Sequence, residues 1–316
     1  MEFAGLLSYL VFFLTFVGIY GLLALGLNSQ WGYTGMLNLG IAAFFAVGAY
    51  TTAIVTTAPT DLHLGGFDLP FPVGLLAAMV TSGLLALVIG LITLKLRSDY
   101  LAIASIGIAE IVRLVLKNAT ELTNGVRGLP RIPRPLTDLW PGGGEFLFLL
   151  LVLLLVGLVY LASERAYRSP WGRVLRAIRE REPAAQAMGK NSTAFRLQAF
   201  VFGSAIMGLG GATYAHFVGF ISPEAFDPLF ATFLVWVMLI VGGSGNNRGA
   251  ILGAAVVWAI WTLTESAVQQ LPGDMVTQAS ALRTLLIGLF LQAVLILRPK
   301  GILPERPPKP VPPPKA

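Results

Sequence analysis

The sequence has 316 residues, 55% of them hydrophobic and only 12% charged, with a formal net charge of +6 and no cysteine. A soluble domain carries about a quarter charged residues, so there is too little charge here to cover a water-facing fold, and the bilayer is the solvent this composition suits. Without cysteine there is no disulfide framework, thiolate metal site or cysteine nucleophile, and the two histidines, His63 and His216, lie too far apart in sequence to show metal-ligand spacing.

Phe3 to Leu27 is an unbroken charge-free run. It is long enough to span a hydrocarbon core of about 30 Å at about 1.5 Å per residue. The start Met1-Glu2-Phe3 has neither the basic residues nor the small-residue cleavage site of a secretory signal, so the run is expected to be a retained helix. Further apolar stretches follow over 31–57, 73–94, 99–117, 145–163, 197–218, 229–243, 250–268 and 282–298, separated by polar or Gly/Pro punctuation. Together they predict an all-α polytopic membrane protein of about nine transmembrane helices.

Lys and Arg set the expected orientation, because they are enriched in cytoplasmic connections. The segment from Glu164 to Arg196 holds Arg165, Arg168, Arg173, Arg176, Arg179, Arg181, Lys190 and Arg196 against Glu164, Glu180 and Glu182. Lys95, Arg97, Arg248, Arg298 and Lys300 fall on the same side, whereas 58–72, 219–227 and 269–281 contain no Lys or Arg. Nine spans with the N-terminus outside and the C-terminus in the cytoplasm satisfy these together. The connection 118–144 falls outside in this scheme although it carries Arg127, Arg131 and Arg134, and Pro130, Pro133 and Pro135 point to a structured excursion there. The chain thus divides into a transmembrane domain, 1–303, and a proline-rich tail, 304–316, expected to be an extended, disordered cytoplasmic end.

Within the basic segment 169–196, Ser169-Pro170 is a helix start, a capping hydroxyl followed by proline at the first helical position. Val174, Leu175 and Ile178 alternate with arginines, which predicts a short amphipathic helix at the membrane face, ended by Pro183. A second short segment, Ala184-Ala-Gln-Ala-Met-Gly189, would let another protein approach its backbone closely. Two readings stand on the residues alone: an interfacial anchor, or a docking element for a partner.

Nucleotide binding through a P-loop needs Gly, four residues, Gly-Lys and Ser/Thr. Gly189-Lys190 is followed by Asn191 and lacks the earlier glycine, so energy for any pumping must enter from elsewhere. In the span 99–117, Asp99, Ile103, Ile106, Glu110, Arg113 and Lys117 share one helical face, and Glu110 and Arg113 can pair at i, i+3. They suit either a substrate path, where a zwitterion meets opposite charges, or an ion pair packing that helix on a neighbour. Gly32, Gly35 and Gly40 around Asn38 suggest a close helix approach or a broken helix, and Gly242 to Gly249 offers a second glycine-rich interruption. His216 is expected to pack, and Glu224 to lie in an outer loop.

Glu182-Pro183-Ala184-Ala185, then Gly189, resembles the coupling loop of ABC importer permeases. Its neighbours extend the likeness: Arg173-Val-Leu-Arg-Ala-Ile-Arg-Glu, Ala187-Met-Gly, Gly210-Gly-Ala-Thr-Tyr-Ala-His-Phe, Gly219-Phe-Ile-Ser-Pro-Glu-Ala-Phe, Gly32-Tyr-Thr-Gly-Met-Leu-Asn-Leu-Gly and Arg97-Ser-Asp-Tyr-Leu-Ala-Ile are similar to branched-chain amino acid permeases of the LivM type. The likeness runs from about residue 20 to 303. Pro183, which parts the glutamate from the alanine pair, and Asn38, where many relatives carry serine, depart from the pattern, and the second leaves the exact substrate open.

The resemblance implies a permease of the LivH/LivM type in a bacterial or archaeal inner membrane. Glu182, Ala184, Ala185 and Gly189 would couple it to ATPases, and Gly35, Asn38, Gly40, Glu110 and Arg113 would be the candidates for the substrate path. The implied partners are a second, LivH-like permease subunit, two cytoplasmic ATP-binding subunits, an extracytoplasmic substrate-binding protein and the lipid bilayer. The cargo would be an amino acid, with no cofactor, metal or nucleic acid, and the chain would not itself be an enzyme. A permease for urea, amides or another small polar solute is the nearest alternative. An ion-coupled secondary transporter would need several mid-membrane carboxylates, where this sequence offers Glu110.

Overall fold

Backbone N–H and C=O groups cannot go unpaired in hydrocarbon, and helices pair them within one segment. The computed structural model describes residues 2–60, 64–96, 98–136, 143–268, 285, 288–290, 292–294 and 296–305, and its architecture is all-helical. The long elements are α1 (Glu2–Leu27), α2 (Ile41–Thr56), α3 (Phe71–Thr93) and α4 (Ser98–Asn118). After the single turn α5 (Thr120–Thr123) come α6 (Gly144–Arg168), α7 (Pro170–Ala187), α8 (Ser192–Val218), α9 (Pro228–Gly242) and α10 (Asn247–Val268).

Among the described residues six helical stretches are long and apolar enough to cross a membrane, namely α1 with its following turn to Gly32, α3, α6, α8, α9 taken with the preceding turn from Pro223, and α10. The shorter α2 is also apolar. The charges of α4 keep it out of that set although it has spanning length. Of the ninth predicted span, 282–298, residues 282–284, 286, 287, 291 and 295 lie outside the described residues, and the described ones are helical up to 297.

The core gathers on α8, which α1, α2 and α3 flank. Small residues let these backbones meet: a Cβ on Gly48 of α2 would come within 2.5 Å of the Gly208 Cα on α8. This is the close approach that drives helix association where lipid is as apolar as leucine. The outward sides of α3 and α6 carry exposed Leu76, Leu84, Ile92, Leu154 and Leu161, a surface suited to acyl chains.

One end of the bundle collects α7, the C-terminal ends of α1, α6 and α9, and residues 300–305. At the opposite end the described part of the connection 118–144 is structured, as its prolines suggested; residues 137–142 lie outside the described residues. Leu129 and Ile221 form an antiparallel bridge, and Ile132 N donates to Gly219 O at 3.0 Å. The connections 118–144 and 219–227, expected on one side, do pack together.

Two boundaries differ from expectation. The helix predicted from residue 31 begins in full at Ile41: α1 runs into one π-helical turn, Asn28–Gly32, stays helical through Thr34, and the chain then unwinds over 35–40. Gly35 takes the left-handed φ of +71° that side chains disfavour, and side chains rather than the helix ladder satisfy much of the unwound backbone. The second difference is at the predicted tail. Pro304 and Glu305 are held against the bundle through Asn246, Tyr167 and Arg179, because a carboxylate and a carbonyl there meet donors in place. Residues 306–316 lie outside the described residues.

Candidate functional site

α7 stands apart from the apolar spans and is built as its residues dictate. Ser169, in extended geometry, accepts from Gly172 N at 3.4 Å, and Pro170 fills the first helical position. Leu175 and Ile178 are buried against the bundle. The helix is interrupted at Arg181 (φ −150°, ψ 87°), two residues earlier than the proline alone suggested. Pro183 therefore opens a second short segment, where its missing N–H costs nothing.

Of the four residues expected to couple, Glu182 turns to its own chain and pairs with Arg196 of α8 at 2.8 Å. Ala185 is buried, whereas Ala184 and Gly189 face outward. Gly189 closes the segment in left-handed geometry (φ +74°), and the following Lys190 N reaches back to Ala185 O at 3.1 Å, a helix-terminating pattern that favours glycine. The space beyond its Cα is open. Beside it Met188 is 80% exposed, and a groove of about 600 Å³ runs along Arg173, Val174, Ala177, Arg181 and Ala184.

The two glycine-rich interruptions, far apart in sequence, meet in space. Asn28 in the π turn donates to Asn247 Oδ1 at 2.9 Å and accepts from Gly245 N at 2.8 Å. Tyr33 donates to the same Asn247 oxygen at 2.7 Å, and Asn247 donates to Glu164 of α6 at 3.0 Å.

Deeper in, Gln30 donates to Phe200 O at 2.9 Å and Ser204 Oγ at 3.0 Å, and accepts from Asn38 Nδ2 at 2.7 Å. Asn38 Oδ1 caps Gly40 N at 2.8 Å, Trp236 Nε1 donates to Asn38 O at 2.9 Å, and Leu39 N donates to Ser105 Oγ of α4 at 2.9 Å. The broken-helix reading of Gly35, Asn38 and Gly40 is what the structure shows.

Glu110 and Arg113 lie elsewhere. Arg113 Nη2 pairs with Glu110 Oε1 at 2.6 Å, and Glu224 joins them, 3.0 Å from Arg113 Nη1 and 2.8 Å from Lys117 Nζ. Glu110 is five residues beyond Ser105, about 7.5 Å along the helix, so the two groups of path candidates do not form one constellation. Glu224, unassigned from sequence, ties α4 to the turn Pro223–Phe226.

His216 is buried. A carbonyl only accepts, so Nδ1 donates to Pro133 O at 2.6 Å and the Thr52 hydroxyl donates to Nε2 at 2.9 Å; the ring is a packing histidine as expected. His63 lies outside the described residues. Among the described residues no group of three potential metal ligands occurs.

Sequence reasoning missed Asn28, Gln30, Asn247, Arg179 and Glu305. Asn28 and Gln30 did leave a signal, being polar side chains that follow directly on a charge-free run.

An all-helical bundle with several spanning helices, a broken segment and a basic helix outside the spans defines a polytopic membrane protein. Residues 9–296 match the family model "Branched-chain amino acid transport system / permease component", and the chain belongs to this family. It is 34% identical over 315 residues to the high-affinity branched-chain amino acid transport system permease protein LivM of Escherichia coli K12, covering 92% of this chain and 69% of that one. It is 30% identical over 329 residues to the probable LivM of Methanocaldococcus jannaschii, covering 93% of each. The LivH permease of Salmonella typhimurium is 23% identical over 293 residues, covering 90% of this chain and 91% of that one. No solved structure matches the chain.

Proposed function

We propose that the chain is the membrane-spanning subunit of an ATP-driven ABC importer for branched-chain amino acids, lying in a bacterial or archaeal inner membrane with α7 in the cytoplasm. A second, LivH-like permease subunit completes the pathway, two cytoplasmic ATP-binding subunits drive it, and an extracytoplasmic binding protein delivers leucine, isoleucine or valine.

The observation that carries this reading is α7. It is a basic helix outside the spans, with an outward groove of about 600 Å³ and an exposed tip at Met188 and Gly189. Closure of the ATPases would push on that surface, and the bundle would rock between two packings. In this scheme Ala184 and Gly189 meet the ATPase, while Ala185 and Glu182 keep the segment in shape against α8. The family match and the names of the relatives support branched-chain amino acids as cargo.

The path is assigned to the open side of α4. Ile103 is exposed, Gly107 opens on empty space, and Glu110 is partly exposed. An ionised residue is costly against lipid, so this face suits the second permease subunit and the substrate between them. The broken segment with Gly35, Asn38 and Gly40 borders it through Ser105.

The test is uptake of radiolabelled leucine into vesicles holding the reconstituted complex, competed by isoleucine, valine, urea and sugars. ATP-dependent uptake blocked by isoleucine and valine is expected. Uptake that survives ATP removal but collapses with the proton gradient would sink the ABC reading, and competition by urea alone would replace the cargo.

A further inference from the structure

Between α7 and the bundle lies a contact that the coupling role does not itself require. Arg179, on the last turn of α7 before the Arg181 break, donates through Nη1 to the carbonyl of Gly32, which ends the π turn of the first broken segment. Its Nη2 pairs with Glu305 Oε2 at 2.7 Å, and Tyr167 of α6 donates to Glu305 Oε1 at 2.8 Å. Arg176, one turn earlier, lies 4.5 Å over the Tyr167 ring.

Glu305 is in turn fixed to the second interruption. Ile302 N donates to Val241 O and Leu303 N to Gly242 O, both at 2.9 Å, and Asn246 donates to Pro304 O at 3.2 Å. A strap of residues 301–305 therefore lies across the α9–α10 turn, with its carboxylate held out to α7. The same turn grips the first break through Gly245, Asn247 and Asn28.

We infer that Arg179 and Glu305 form a clasp by which α7 moves the broken segment and the α9–α10 turn together, each acting as a positioning residue for coupling. This rests on the coupling role proposed for α7. Three features carry the inference. The Arg179 guanidinium is shared between the broken segment and a strap seated on the α9–α10 turn, so a displacement of α7 cannot leave either in place without breaking a charge-assisted bond. The Arg179 and Glu305 side chains are only 24% and 26% exposed, which protects the pair from the screening that weakens surface ion pairs. The Gly32 carbonyl faces a chain that has left the regular helix, so Arg179 supplies a donor where the ladder is interrupted.

The test has two arms, on Glu305→Gln, which keeps shape and removes charge, and Glu305→Asp, which keeps charge. In the first arm, hydrogen exchange of the 33–40 amides is measured on the full chain in lipid nanodiscs. The clasp predicts exchange about tenfold faster in Glu305→Gln, with partial recovery in Glu305→Asp. In the second arm, the reconstituted complex is assayed for leucine transported per ATP hydrolysed. That ratio should fall several-fold in Glu305→Gln while the KM for leucine and the basal ATPase rate stay put, a pattern that mere loss of folded protein would not produce.

Unchanged exchange in Glu305→Gln overturns the clasp whatever the transport assay shows. Faster exchange with an unchanged ratio overturns its coupling role. If the wild-type complex shows no ATP-driven uptake, it is the proposed function that fails, and the exchange arm still decides whether the clasp exists.

Discussion

Replacing Gln30 by leucine is the sharpest probe of the broken segment. The change keeps roughly the same bulk, so it opens no large cavity and isolates the polar contribution. Three hydrogen bonds disappear: two from Nε2, to Phe200 O and Ser204 Oγ, and one to Oε1, from Asn38 Nδ2. Phe200 lies in the α8 interior, where its carbonyl keeps a helical partner, so the larger loss falls on the buried Asn38 amide. Interhelical polar contacts within membranes average about 0.6 kcal/mol and reach about 1.7, so three give about 2 kcal/mol. At about 2–4 °C per kcal/mol for a chain somewhat smaller than this one, the melting midpoint in nanodiscs should fall by about 5 °C. Asn38→Leu should cost a similar amount, and the double variant less than the sum, because the residues share one network. A Gln30→Leu protein that inserts normally and melts with the wild type would refute the reasoning, as would strict additivity with Asn38→Leu.

Three further outcomes are expected. Gly48→Val forces α2 away from Gly208 of α8 and should cost at least the 1–3 kcal/mol typical of overpacking, read as loss of monodisperse protein on size exclusion; a normal profile would mean the helices do not meet there. His216→Phe removes the bonds to Pro133 O and Thr52, about 1–2 kcal/mol, and should speed protease cleavage between residues 125 and 136, whereas an unchanged cleavage rate would detach His216 from that loop. Gly189→Leu meets open space but a left-handed backbone, at a local cost of about 1–2 kcal/mol; the subunit should still insert while ATP hydrolysis runs without uptake, and normal uptake would remove Gly189 from the coupling surface.

Much of the fold was legible because spans are collective and local at once. The charge-free run of α1 and the proline at Pro170 act within one turn of themselves, and each appears where its chemistry places it. The helix predicted from residue 31 failed at its start for a different reason. Apolar content alone cannot tell a continued helix from an unwound segment whose backbone is satisfied by Ser105 of α4, 66 residues away. Pro183 shows a milder version: the interruption was expected, but burial of Leu175 and Ile178 on one side and the Glu182–Arg196 pair on the other set it at Arg181.

The site divides in the same way. Glycines 35 and 189 answer to a local need, a left-handed backbone, whereas Gly40 is required because a Cβ there would come within 2.8 Å of the Ser105 carbonyl of α4. Glu110 and Arg113 could be paired on the page, but not joined to Glu224, 111 residues from Arg113.

Composition by itself determined the solvent, the helical class and the presence of a basic element outside the spans, because hydrophobic content and charge placement are properties of the chain before it folds. Which polar residues matter was decided by tertiary structure. Asn28 and Asn247 stand 219 residues apart, and Arg179 and Glu305 126 apart. Each pair owes its meaning to a partner that only the packing of the bundle brings within hydrogen-bonding distance.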